Sequence, residues 1–73
     1  MQSEELSEEL TGTVTSFSDA HGLGEITDTA SIVWPFHCVS IADGSRTIEV
    51  GSTVMFRTGF RVARPEAVSI RSV

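Results

Sequence analysis

The 73-residue chain contains no lysine, and its cations at neutral pH are five arginines set against ten carboxylates. Neutralising a phosphate backbone requires a basic face, so charge alone disfavours strong, non-specific nucleic-acid binding. A single cysteine, Cys38, excludes an internal disulfide framework. No apolar run approaches the ~20 residues of a membrane span, and no charged-then-apolar leader opens the chain. The expectation is a soluble cytoplasmic protein with no membrane partner. Catalytic signatures are missing too. Serines and threonines occur without a recognisable nucleophile–base–orienter set. Gly22-Leu23-Gly24 lacks the third glycine and following helix of a dinucleotide fingerprint, and there is no phosphate-loop lysine. Neither an enzyme nor a cofactor is expected.

What is present fits one small domain. A core of this size leaves roughly 3–5 kcal/mol of net stability. The formal charge of −5 is unevenly spread, because Glu4, Glu5, Glu8 and Glu9 all fall within the first ten residues. Residues 1–10 form a near-repeat of Ser-Glu-Glu-Leu, with Leu6 and Leu10 at i,i+4 and Ser3 as a potential helix cap. Ten residues cannot hold a helix unaided, so this segment reads as an acidic, flexible, solvated arm. The sharper alternative is that it screens the arginines from nucleic acid. Residues 11–73 then form the folded domain.

Strand-like pieces separated by turn signals fill that domain. Thr11–Ser18 is rich in Thr and Val, Asp19-Ala20-His21-Gly22 turns the chain, and Leu23–Asp28 follows. After a short loop, Ser31–Cys38 alternates: Ile32, Trp34 and Phe36 share one face, and Ser31, Val33, Pro35 and His37 share the other. Val39–Glu49 reads as a long connection with room for one helical turn. Thr53–Thr58 is a strand, Gly59–Pro65 a loop, and Glu66–Ser72 the last strand. Five short strands at this spacing predict an all-β, five-stranded antiparallel barrel, which suits a short chain because it leaves few sheet edges unpaired.

The ordered series Gly12-Thr13-Val14, Phe17, Gly22-x-Gly24-x-Ile26, His37, Ile41, Gly51-x-x-Val54-x-Phe56 and Ala67-x-x-Ile70 resembles the cold-shock domain. That resemblance runs from about Thr11 to Ile70 and implies an OB-fold barrel. It also implies binding of single-stranded RNA or DNA, by bases stacked on outward aromatics with basic side chains along the phosphates. The matches are mostly scaffold positions. Where the family carries its first-strand tryptophan this chain has Ser16, beside a retained Phe17. The basic residue before the glycine motif is His21. The two motif phenylalanines are Leu23 and Glu25. In the third strand the family's Phe, His and Phe fall on Pro35, His37 and Cys38. Each stacked base is worth about 1–3 kcal/mol, so these losses imply weak binding.

The expected contact residues are therefore Phe17, Leu23 and His37, with His21, Arg57 and Arg61 near phosphates. Trp34 and Phe60 each carry two readings. Trp34 belongs to the core by strand parity, unless Pro35 bulges the strand and turns the indole outward. Phe60 either stacks on a base or packs over one end of the barrel. Glu25 repels phosphate but accepts hydrogen bonds from base edges, and an ordinary solvated carboxylate is its plainer reading. His37 is a donor to base or phosphate, or an exposed histidine without a role. His21, His37 and Cys38 lack the paired spacing of a structural metal site, so no metal is expected. Cys38 reads as a small buried hydrophobe. Two functions follow: a divergent cold-shock-type protein that binds single strands weakly, or a protein-interaction or self-associating module that has lost nucleic-acid binding.

Overall fold

A computed structural model describes residues 9–61 and 64–73, without the side chains of Phe60, Arg61 and Arg64. Five strands follow one another: β1 (Leu10–Ser18), β2 (Leu23–Asp28), β3 (Val33–His37), β4 (Thr53–Arg61) and β5 (Arg64–Ser72). They form one antiparallel sheet in the order β3-β2-β1-β4-β5. Residues 1–8 of the expected acidic arm lie outside the described residues, and β1 starts one residue earlier than the sequence suggested.

Period-two alternation explains the core on β1–β4, and on β5 a bulge at Ser69 (φ 52°) and Ile70 brings Ala67 and Ile70, three residues apart, to the same inner face. Val14, Ile26, Phe36, Val54, Phe56, Ala67 and Ile70 point to the inside of the curled sheet and are almost completely buried, with Ile41 joining them from the connection after β3. After His37 the chain makes a 3-10 turn over Cys38–Ser40. It then reaches β5, where Ile41 bridges Ile70 in parallel and the Ala42 amide donates to the Ile70 carbonyl at 2.8 Å. This is a single bridge and not a ladder. The outer strands β3 and β5 meet without pairing, so the expected barrel is a strongly curled but open sheet.

The β2–β3 turn is organised by Asp28. One carboxylate oxygen accepts the amides of Ala30 at 2.8 Å and Ile32 at 2.9 Å, and the other accepts the Trp34 indole N–H at 2.9 Å. The indole bond and then the Ile32 amide hold this carboxyl below the usual carboxylate range, outweighing the opposing effect of burial, with the Ala30 amide adding least. Ile32 precedes β3 and is exposed, so the alternation read from Ser31 begins at Val33.

The loop expected over Gly59–Pro65 is instead the end of a hairpin. Gly59 pairs with Glu66 and Phe60 with Pro65, and the strands run to Arg61 and from Arg64. Glycine and proline read as loop punctuation, but β5 is an edge strand, where a missing amide donor is tolerated.

Candidate nucleic-acid interface

A β-bulge in β1 decides which side chains face outward. The β1–β2 register runs Val14 with Ile26, then Ser16 with Glu25, leaving Thr15 as the extra residue. Its hydroxyl lies 3.3 Å from both the Glu25 carbonyl and the Thr27 hydroxyl, on the outer side. Without the bulge, strict alternation from the buried Val14 would send Ser16 inward and Phe17 outward. The bulge reverses this: Ser16 is exposed, and Phe17 turns in and is half-buried.

Phe17 is thereby removed from the face of Leu23 and His37 where the sequence placed it. It pairs with Gly24, which pairs in turn with Phe36, and the two rings lie parallel with centroids 5.9 Å apart. Gly24 is required there. A Cβ at that position would stand 2.5 Å from Phe36 Cζ and 2.6 Å from the Ser16 carbonyl oxygen. Trp34 likewise faces inward. Pairing of β2 with β3 runs without interruption through Glu25–Pro35 and Ile26–Trp34, so Pro35 causes no bulge. The half-buried indole sits 6.2 Å from the Phe56 ring and donates its N–H to Asp28. Its ring packs at the edge of the core.

The outward face of β1, β2 and β3 consists of three rows. Ser18, Leu23 and His37 form one, Ser16, Glu25 and Pro35 the next, and Thr13, Thr27 and Val33 the third. His21 joins the first row through the β1–β2 turn. Its Nδ1 lies 3.0 Å from the Ser18 hydroxyl, and its amide donates to that same oxygen at 3.4 Å. Gly22 makes this turn possible with φ +67°, its amide donating to the Ser18 carbonyl and its carbonyl accepting the Cys38 amide at 2.7 Å. Two exposed imidazoles, a hydroxyl and the 45%-exposed Leu23 are thus gathered at one corner of the sheet. Ser18 escaped the sequence reading, although its three-residue spacing from His21 across a turn was visible. Cys38 lies just beyond, half-buried in the 3-10 turn and packed against the core.

The electrostatics of this face differ from those of a phosphate-binding groove. No lysine or arginine occurs before Arg46, so β1, β2 and β3 contain none. Their carboxylates are Glu25, one outward position from Leu23 on β2 and diagonal to His37, and Asp28 at the turn; Asp19 sits between β1 and β2. The arginines all lie elsewhere. Arg57 is exposed on β4, one residue past the Leu10–Phe56 pair and at the other end of β1 from Ser18. Arg61 and Arg64 are paired in register at the end of the β4–β5 hairpin, and the side chains of Phe60 and Arg61 lie outside what is described. Arg71 is ion-paired with Glu9. Of the expected site, the structure brings together His21, Leu23 and His37, and separates Arg57 from them. Among the described residues no group of three His, Cys, Asp or Glu side chains is placed to hold a metal ion, and no helix is long and apolar enough to cross a membrane.

Chemically, the corner offers imidazole N–H donors and ring faces, one hydroxyl and an apolar contact. Glu25 beside it is an acceptor for amino groups on base edges. Histidine is among the side chains on which unstacked bases pack, and leucine contacts a base face without stacking geometry.

No family model and no curated protein matches this chain. Among solved structures, one titled "drosophila Unr CSD456", comprising cold-shock domains 4–6 of Unr, matches over 92% of this chain with a TM-score of 0.76 and 24% identity. The chain spans 27% of the length of that structure. The likeness establishes the fold: an all-β, OB-like sheet of the cold-shock type.

Proposed function

We propose that this protein binds single-stranded RNA or DNA weakly, through base contacts at the corner formed by Ser18, His21, Leu23 and His37. The observation that carries this reading is the alignment of His37, Leu23 and Ser18 across three strands, with His21 tied to Ser18. These residues occupy the outward face on which, by the resemblance read from the sequence, cold-shock domains stack bases. The reading involves no catalytic step. Affinity is micromolar or weaker and falls only shallowly with salt, because few phosphates are neutralised and few counterions are released.

Titration of the ¹⁵N-labelled protein with heptathymidine tests the location. The amides of Ser18, His21, Leu23 and His37 shift first and saturate together, while those of Val54 and Ala67 do not move. Shifts confined to β4 and β5 would remove the corner from the interface.

A second reading is supported by the arginines lying outside β1–β3, and by the exposed apolar side chains Leu23, Ile32, Val33 and Val39 around the edge strand β3. On this reading the fold serves a protein partner or self-association and has given up nucleic acid. It predicts no oligonucleotide shifts at all, with concentration-dependent sedimentation if the partner is a second copy.

A further inference from the structure

We infer that the single-strand site prefers guanine, and that Glu25 reads it by accepting from the N1–H and the 2-amino group of its Watson–Crick edge. This deepens the proposed function and rests on it. Glu25 stands on the outward face of β2, opposite Ser16 on β1 and Pro35 on β3. Leu23 precedes it by two residues on the same strand, and His37 lies diagonally across on β3. Alternate residues of a strand are about 7 Å apart, and diagonal cross-strand neighbours about 7–8 Å, within reach of long side chains. A base lying on the Leu23 and His37 side chains therefore has an edge within reach of the Glu25 carboxylate.

The surroundings leave this carboxylate open to an incoming donor. Glu25 is exposed, and β1, β2 and β3 contain no lysine or arginine. Among the described residues no ion pair engages it. Pro35 opposite has neither an amide N–H nor a polar side chain. The Thr15 hydroxyl is spent on the Glu25 carbonyl and the Thr27 hydroxyl, which leaves Ser16 as the one hydroxyl beside Glu25 in its row. Asp28, the other carboxylate of β2, is the contrast. Both of its oxygens are taken, by the Ala30 and Ile32 amides and the Trp34 indole. Asp28 holds the turn, and Glu25 faces outward with its acceptors available.

The choice of base follows from the donor count. An ionised carboxylate only accepts hydrogen bonds, through two oxygens. Guanine alone among the common bases presents two donors side by side, and charge-assisted bidentate pairs are the strong ones. Cytosine and adenine present one amino group beside a ring-nitrogen acceptor. Thymine and uracil flank their single N3–H with two carbonyl oxygens, which a carboxylate repels. Unstacked bases in single strands are read on these edges. The carboxylate that disfavours phosphate and thymine is thus the group that selects guanine.

The test titrates labelled heptamers with the wild-type chain and with Glu25→Ala, followed by anisotropy. The strands are heptathymidine and the same strand with its central base replaced by guanine or by hypoxanthine. Hypoxanthine keeps the purine ring and the N1–H but lacks the 2-amino group, so it separates hydrogen bonding from stacking. The wild type binds the guanine strand at least about fivefold more tightly than the other two, the low end of discrimination by one bidentate base contact. Glu25→Ala binds the guanine and hypoxanthine strands equally. Equal wild-type affinities for guanine and hypoxanthine, or a difference that survives in Glu25→Ala, would overturn the reading of guanine by Glu25. Saturable heptathymidine binding in that same series would leave the proposed function standing. No saturation by any of the strands near a millimolar would overturn both.

Discussion

Gly24 is the residue on which the outward face depends, because it lets Phe17 and Phe36 stack over bare backbone. Gly24→Ala forces a buried ring and a strand carbonyl apart. The expected loss is about 1–3 kcal/mol, the usual cost of overpacking. Urea unfolding followed by Trp34 emission measures it, and in so small a domain the loss leaves a visible unfolded fraction in water. Asp28 makes a prediction with a definite sign. Its carboxyl is held below the usual carboxylate range in the folded state, so its contribution is fully present above the ordinary aspartate pKa. That contribution is lost as pH falls through the depressed value. Asp28→Asn keeps one oxygen for the turn amides but cannot accept from the indole through its amino group. The variant has a lower thermal midpoint, red-shifted Trp34 emission, and less change of stability through the acid range. Trp34 itself faces away from the proposed interface, so saturating heptathymidine leaves its emission intensity nearly unchanged. Quenching of the kind expected from base stacking on the indole would place it in the interface. Strand parity anticipated the inward indole. Its bond to Asp28 was invisible, because a six-residue separation across a turn fixes no side-chain direction.

At the level of elements, the bulge at Thr15 separates what the sequence revealed from what it hid. The strands themselves were legible from Thr/Val runs and turn residues, and β2 matches its expected bounds. Phe17 was misplaced because a bulge adds one residue to one strand only, and nothing in Val-Thr-Ser-Phe marks which residue is extra. The hairpin end was hidden by Gly59 and Pro65, which an edge strand accommodates. Correct rows now allow a gain of function to be designed. Glu25 and Pro35 are directly opposite on the outward face, next to the Ser18–Leu23–His37 row. Glu25→Phe removes a repulsive carboxylate and supplies a ring where the resemblance expects one. Heptathymidine affinity rises at least about tenfold, since each stacked base is worth about 1–3 kcal/mol. Fluorescence anisotropy checks this, and unchanged affinity would show that bases do not pass over β2.

The whole molecule is electrically divided, with an acidic first half that includes β1–β3 and a basic second half built on β4 and β5. The absence of lysine was evident from composition. The division between the two halves needed the strand order, which shows that the acidic strands are neighbours and the arginines lie beyond them. On the proposed reading, histidines, one leucine and hydroxyls lie where bases would pass, and the guanidinium groups lie elsewhere. The proposed binding would then depend on base contacts more than on phosphates, and the predicted slope of log affinity against log salt corresponds to no more than about two phosphate contacts, at roughly −0.7 per contact for single strands. The most direct measurement is the anisotropy of labelled heptathymidine titrated with the wild-type protein, His37→Ala and Leu23→Ala at low and moderate salt. Saturable micromolar or weaker binding that is lost in both variants and changes little with salt is the predicted result. No saturation by wild type near a millimolar, or binding that both variants retain in full, would contradict the account.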